Sequence, residues 1–187
     1  SFKSSLPMKK EGIGYSNIFS PSFMIRYAPG HMSDLRDENE TFKYANLYSI
    51  NRTSVIENGL SGVLGFEFIK NEKISETEER EKLSISLGQV FSPEINEDIP
   101  RSSSLDQKMS DVVGEISYNF SEIGDIKYKF SLDHNINDLN YNEVSTTLNF
   151  GKVAFNIDYL EEQNHIGNEN YINSGIALNY NDNNQFS

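Results

Sequence analysis

Cysteine and tryptophan are both absent from the 187 residues, and the chain has neither a long apolar run nor an excess of positive charge. Without cysteine there is no disulfide framework, no thiolate zinc site and no thiol nucleophile. No stretch approaches the roughly 18 apolar residues of a membrane helix. The 28 acidic against 16 basic residues give a formal net charge of −12, the opposite of a nucleic-acid binder's basic footprint. Only 36% of the chain is hydrophobic and the mean hydropathy is −0.56. Yet 12% is aromatic, and the rings recur too regularly for a disordered polymer. The length suits one domain or part of a larger one. The chain opens at Ser1 rather than Met, carries no leader, and stops soon after a strand-like run. The expectation is an excised segment, with 1–187 forming part of one domain, so the missing leader says nothing about location.

What is present is period-two alternation, the mark of strands with two different faces. Val112, Gly114, Ile116, Tyr118 and Phe120 alternate with Val113, Glu115, Ser117 and Asn119. The same rule holds for Ile126–Leu132, Val144–Phe150, Val153–Tyr159 and Ile176–Tyr180, and upstream for Phe23–Tyr27, Leu60–Phe68 and Leu83–Leu87. That predicts eight strands and no amphipathic helix. Residues 76–82 (ETEEREK) favour a helical turn but lack an apolar face.

Two all-β architectures fit. In a soluble sandwich, the apolar rows pack on a second sheet. In an antiparallel transmembrane β-barrel, they face lipid and the polar rows line water. Three features favour the barrel. The polar rows carry charges such as Lys127, Lys129 and Asp158. Strand length matches a tilted bilayer crossing. Aromatics gather at strand ends, with Phe120, Tyr128, Phe150, Phe155, Tyr159 and Tyr180 placed as an interfacial girdle. Connection parity agrees: 121–125 and 151–152 are short and fall on one side, while 92–110 and 160–170 fall on the other. The stretch 69–81 belongs with the short turns but is long for one. Parity holds upstream only if 29–58 is a single outer loop, so that 46–52 (NLYSINR) does not span.

Chemistry-bearing residues are sparse. His31, His134 and His165 are far apart and read as solvated. Glu161 and Glu162 are adjacent loop carboxylates, a solvated charge cluster. Asp34, Asp37, Glu38 and Glu40 lack the spacing and central glycine of a calcium loop. Gly59, Gly62 and Gly65 lie in a strand, where glycine permits bending or close approach rather than phosphate binding. The residues point to no enzyme, no cofactor and no metal.

Several blocks, in this order, resemble the barrel of the LPS-assembly protein LptD family (organic solvent tolerance protein). They are 20–29 (SPSFMIRYAP), 45–52 (ANLYSINR), 57–66 (ENGLSGVLGF), 83–91 (LSISLGQVF), 102–118 (SSSLDQKMSDVVGEISY) and 150–167 (FGKVAFNIDYLEEQNHIG). The resemblance implies a barrel of about 26 strands in the outer membrane of a Gram-negative bacterium, of which this chain would supply about eight. It implies an LptE-like plug lipoprotein in the lumen and a periplasmic jellyroll fed by the LPS-transport bridge. Lipopolysaccharide would be inserted into the outer leaflet, with outer-membrane lipid around the barrel. The family commonly carries disulfide-linked cysteines that this stretch lacks. A porin, a receptor or a soluble β-sandwich binding module is the alternative. On the barrel reading, Glu67, Glu115, Lys127, Lys129, Asn149, Asn156 and Asp158 face the lumen, where they meet plug lipoprotein or sugar, or simply solvate the wall. The acidic stretches 34–40 and 94–98 are expected outside, in a cation-rich layer.

Overall fold

A computed structural model describes residues 1–53, 57–181 and 184–186, with side chains through Leu178. All of its strands belong to one antiparallel sheet: β1 Phe2–Ser5, β2 Met8–Gly12, β3 Tyr15–Ala28, β4 Gly59–Lys73, β5 Glu79–Phe91, β6 Val112–Asn119, β7 Gly124–Leu132, β8 Leu139–Phe150, β9 Val153–Glu162, β10 Glu169–Asn181 and β11 Asn184–Phe186. Each pairs with its sequence neighbours, except that β1 and β2 lie end to end along β3. The sheet is open, with β1 and β2 at one edge and β11 at the other. No second sheet covers it among the described residues, which removes the sandwich alternative.

The break between β1 and β2 has a local cause. Leu6 donates its N–H to the Pro21 carbonyl at 3.0 Å, and Pro7 follows with no N–H to give. In an antiparallel pair a residue's N–H and C=O point the same way. The donor that Pro21 lacks therefore falls opposite the interruption.

All eight predicted strands are present, and β1, β2 and β11 are additional. No helical turn forms at 76–82, in keeping with its missing apolar face: β4 runs on to Lys73 and β5 begins at Glu79. The connection that looked too long therefore shrinks to 74–78. Short connections 13–14, 74–78, 120–123 and 151–152 all lie at one end of the sheet, and 29–58, 92–111, 133–138 and 163–168 at the other. The segment 46–52 lies in the long loop beside a 3-10 turn, Tyr44–Asn46.

The register sorts side chains onto two faces. One carries Phe19, Phe23, Ile25, Tyr27, Leu60, Leu64, Ile157 and Ile176, all more than a third exposed. The other carries Met24, Val63, Val90 and Val113, buried beneath Phe42 and Leu47 from loop 29–58 and Ile99 and Leu105 from loop 92–111. The core is thus not between two layers of secondary structure. It lies between the sheet and its own loops.

Candidate functional site

The loop-covered face is built around a glycine seat. Gly65 and Gly88 are cross-strand partners on β4 and β5. A Cβ on Gly88 would stand 2.3 Å from a Leu47 methyl, and one on Gly65 would stand 2.6 Å from the Tyr48 hydroxyl. Only glycine leaves room for these loop side chains, which is the close approach anticipated for Gly65. Leu47 is fully buried and Phe42 is 2% exposed. Burying a side chain of this size stabilises by roughly 1.5–3 kcal/mol.

Polar anchors hold the same segment at both ends. At one end Arg52 grips Glu57 through two bonds, Nε at 3.1 Å and Nη2 at 2.9 Å, and also donates to Ser61 Oγ at 2.9 Å. Arg26 of β3 donates to the same carboxylate and to the Ile50 carbonyl at 2.7 Å. All three charged side chains are at most 5% exposed. At the other end Lys43 donates to Tyr141 Oη at 2.7 Å and lies 3.8 Å from Glu143, both on β8. Lys3 of β1 sits 3.9 Å over the Tyr48 ring. One short segment therefore touches β1 and β8, strands that a flat sheet would separate by about 29 Å. A 3-10 backbone from 43 to 48 spans about 10 Å. Side chains supply part of that reach, and the roll of the sheet around the segment supplies the rest.

The register places all seven predicted residues on this face, in two settings. Glu67 and Glu115 stand near Tyr44. Burial holds the Tyr44 phenol above its ordinary value, and the charges of Glu67 and Glu115 add to the shift. Lys129 is ion-paired to Glu143 at 2.7 Å. Lys127, Asn149 and Asn156 are exposed and Asp158 half-buried, and the loops leave them uncovered. No three His, Asp or Glu side chains converge as metal ligands among the described residues. The two acidic stretches meet each other: Leu35 donates its N–H to the Asp98 carbonyl at 2.8 Å, and Arg36 lies between Asp34 (2.9 Å) and Asp98 (3.6 Å). The chain's own guanidinium thus bridges the two acidic stretches.

The model of the LptD family, LPS transport system D, matches residues 1–185. The chain belongs to the LptD family. A comparison with curated proteins returns no match. LptD is an outer-membrane component of lipopolysaccharide transport, not an enzyme family, and its barrel accounts for the single all-β sheet with loops long at one end only.

In this LptD segment, sequence reading missed Arg26, Lys43, Leu47, Tyr48, Arg52 and Glu57, the residues that fasten the loop. Two signals pointed to them. Leu47 and Tyr48 belong to a cluster of apolar residues in the loop with Phe42, Tyr44 and Ile50, and glycine occupies facing positions on two strands. Of the rings expected in a girdle, Phe120, Phe150 and Phe155 lie toward the short turns, where Tyr118–Phe120 (5.0 Å) and Phe150–Phe155 (6.1 Å) pair edge-on, whereas Tyr128 stands mid-strand on β7, stacked on Phe130, and Tyr159 lies toward the other end of β9. Tyr180 falls outside the described side chains.

Proposed function

We propose that this chain forms one wall of an LptD barrel in the outer membrane of a Gram-negative bacterium, with the short turns in the periplasm. The loop-covered face lines the route by which lipopolysaccharide sugars and phosphates reach the outer leaflet. Acyl chains travel on the bilayer side.

The observation that carries this reading is the contrast between the two faces. On β3 the outward apolar row runs from Phe19 to Tyr27, about 26 Å along the strand. At a tilt of about 40° it stands roughly 20 Å tall, close to the ~25 Å apolar band of an outer-membrane barrel. Behind it, the inward row is polar and sealed at one end by its own loops. Lys127, Asn149, Asn156 and Asp158 are free to meet transiting sugar or an LptE-like plug lipoprotein. Glu67 and Glu115 flank the loop that must yield as sugar passes, and Lys129 holds Glu143 in place for Lys43. The periplasmic bridge supplies the substrate from the short-turn end.

A photo-crosslinking residue placed in turn at Asn156 and at Ile157 of the full-length protein in living cells tests this. Adducts to lipopolysaccharide or to a lipoprotein are expected from position 156 and not from 157. Equal yields at both positions, or adducts from 157 alone, overturn the assignment of faces.

A further inference from the structure

On the outer face the side chains change character in one step. The register aligns Met8, Phe19, Phe68, Ile85 and Ile116 as a single outward row across β2–β6. Two residues nearer the short turns, about 6.6 Å along the strands, the row reads Lys10, Asn17, Lys70, Leu83 and Tyr118. Beyond it Glu72 pairs with Arg80, and Lys82, the extra residue at the β4–β5 bulge, reaches the same carboxylate at 3.9 Å.

Charges on the inward side of this end satisfy one another. Lys9 lies 3.1 Å from Glu11 and 3.4 Å from Glu79, and Lys73 lies 3.3 Å from Glu11. On the outward side Lys10 and Lys70 are exposed and have no ion-pair partner among the described residues, and Glu72 alone serves Arg80 and Lys82. A chain of net charge −12 thus concentrates four basic groups against one acidic group in one outward strip. The strip adjoins aromatic rings: the Lys70 ammonium lies 6.0 Å from the Tyr15 ring centroid and that of Lys82 lies 5.5 Å from Tyr118. Apolar stems along rings with charged heads beyond them suit a lipid–water boundary.

We propose that Lys10, Lys70, Arg80 and Lys82 form a docking strip for anionic phospholipid headgroups of the leaflet at the short-turn end. This rests on the lipid-facing reading of the outer face. The occupant follows from charge complementarity and position: unpaired cations one step past an apolar band meet the phosphates of the lipids whose chains cover that band. Each basic residue near an anionic surface strengthens attachment roughly fivefold at low salt.

The test uses the full-length protein in nanodiscs of phosphatidylethanolamine with a minor fraction of phosphatidylglycerol and no lipopolysaccharide. The protein is re-extracted in mild detergent at low salt, and the lipids it retains are counted by headgroup. The wild type is expected to enrich phosphatidylglycerol over the supplied mixture. The Lys10→Gln/Lys70→Gln variant, which removes exposed and unpaired groups and so spares folding, loses that enrichment by roughly fivefold per charge. Lys108→Gln, a charge removed in loop 92–111, keeps it. Unchanged enrichment in the double variant overturns the proposal, as does an equal loss in Lys108→Gln. If even the wild type retains no phospholipid of either kind, the lipid-facing reading falls and the strip falls with it.

Discussion

Val63 and Val113 are at most 1% exposed beneath the loops, whereas Asn156 and Asn173 on the same face of the same sheet are open to solvent. Both pairs obey the same alternation. What separates them is loop length. The connections 29–58 and 92–111 fold back over β3–β6, and the 133–138 and 163–168 connections have too little chain to do so over β8–β10. A strand's pattern sets which way a side chain points, but its neighbours across the face decide whether that direction leads into a core or into water. The covered stretch is glycine-notched and held by buried ions. The open stretch is held by backbone pairing and by scattered side-chain contacts such as Asn142 Nδ2 to Glu161 at 2.7 Å and the Phe150–Phe155 ring pair.

The largest expected effect that would break this contrast is at Glu57. Glu57→Gln leaves Arg26 and Arg52 buried without a counter-charge, a loss that typically costs about 3–5 kcal/mol. Asn156→Ala on the open stretch should cost less than about 0.5 kcal/mol. Urea unfolding of the full-length protein in lipid compares them, with limited proteolysis of loop 29–58 reporting release of the segment. Similar costs at the two sites would show that the loop is not fastened there.

A smaller effect sharpens the contrast through glycine. Gly88→Ala drives a methyl into Leu47, and overpacking of this kind costs about 1–3 kcal/mol. Gly175, its counterpart on the open face, has nothing within 4 Å of a Cβ. Gly175→Ala is therefore expected to be neutral or slightly stabilising. A destabilised Gly175→Ala variant would mean that something fills the open stretch.

The smallest effect concerns a second tie between the two stretches, apart from the Lys43 bonds to β8. Asp111, just before β6, accepts hydrogen bonds from Ser131 Oγ and Asn140 Nδ2, both at 2.8 Å, and His165 from the β9–β10 connection lies 3.2 Å away. Burial pulls the His165 pKa down, but the Asp111 carboxylate, with Asp106 and Asp133 adding, raises it above its ordinary 6.5. A raised folded-state value means that this tie contributes fully below about pH 6.5 and is lost as pH rises through the raised value. Hydrogen exchange of 163–168 should therefore speed up toward alkaline pH, and His165→Gln should flatten that dependence. Exchange in the wild type that follows intrinsic chemistry alone would remove the tie.

Much of this architecture was legible from residue order. Alternation located eight strands and sorted Glu67, Glu115, Lys127, Lys129, Asn149, Asn156 and Asp158 onto one face, because a period of two leaves no other choice once the strand is granted. β1 and β2 escaped notice because FKSS and MKKEG show no clean apolar row and Pro7 divides them. The ends of β4 and β5 were cut short for a similar reason. Past Lys70 both faces become polar, so a pattern that relies on one greasy face fades where the sheet continues.

The fastening of the loop was not legible. Lys43 and Glu143 are a hundred residues apart in the chain, and nothing in either neighbourhood marks the other. Arg26, Arg52 and Glu57 read singly as three solvated charges.

Sequence by itself settled strand number in the regular part, the two faces and the end at which the long loops emerge, since each follows from local periodicity or from counting connections. Tertiary structure alone decided which part of the polar face is covered and which ions are buried. Those outcomes depend on the path a loop takes through space, and on pairings between groups that meet only once the sheet has rolled around it.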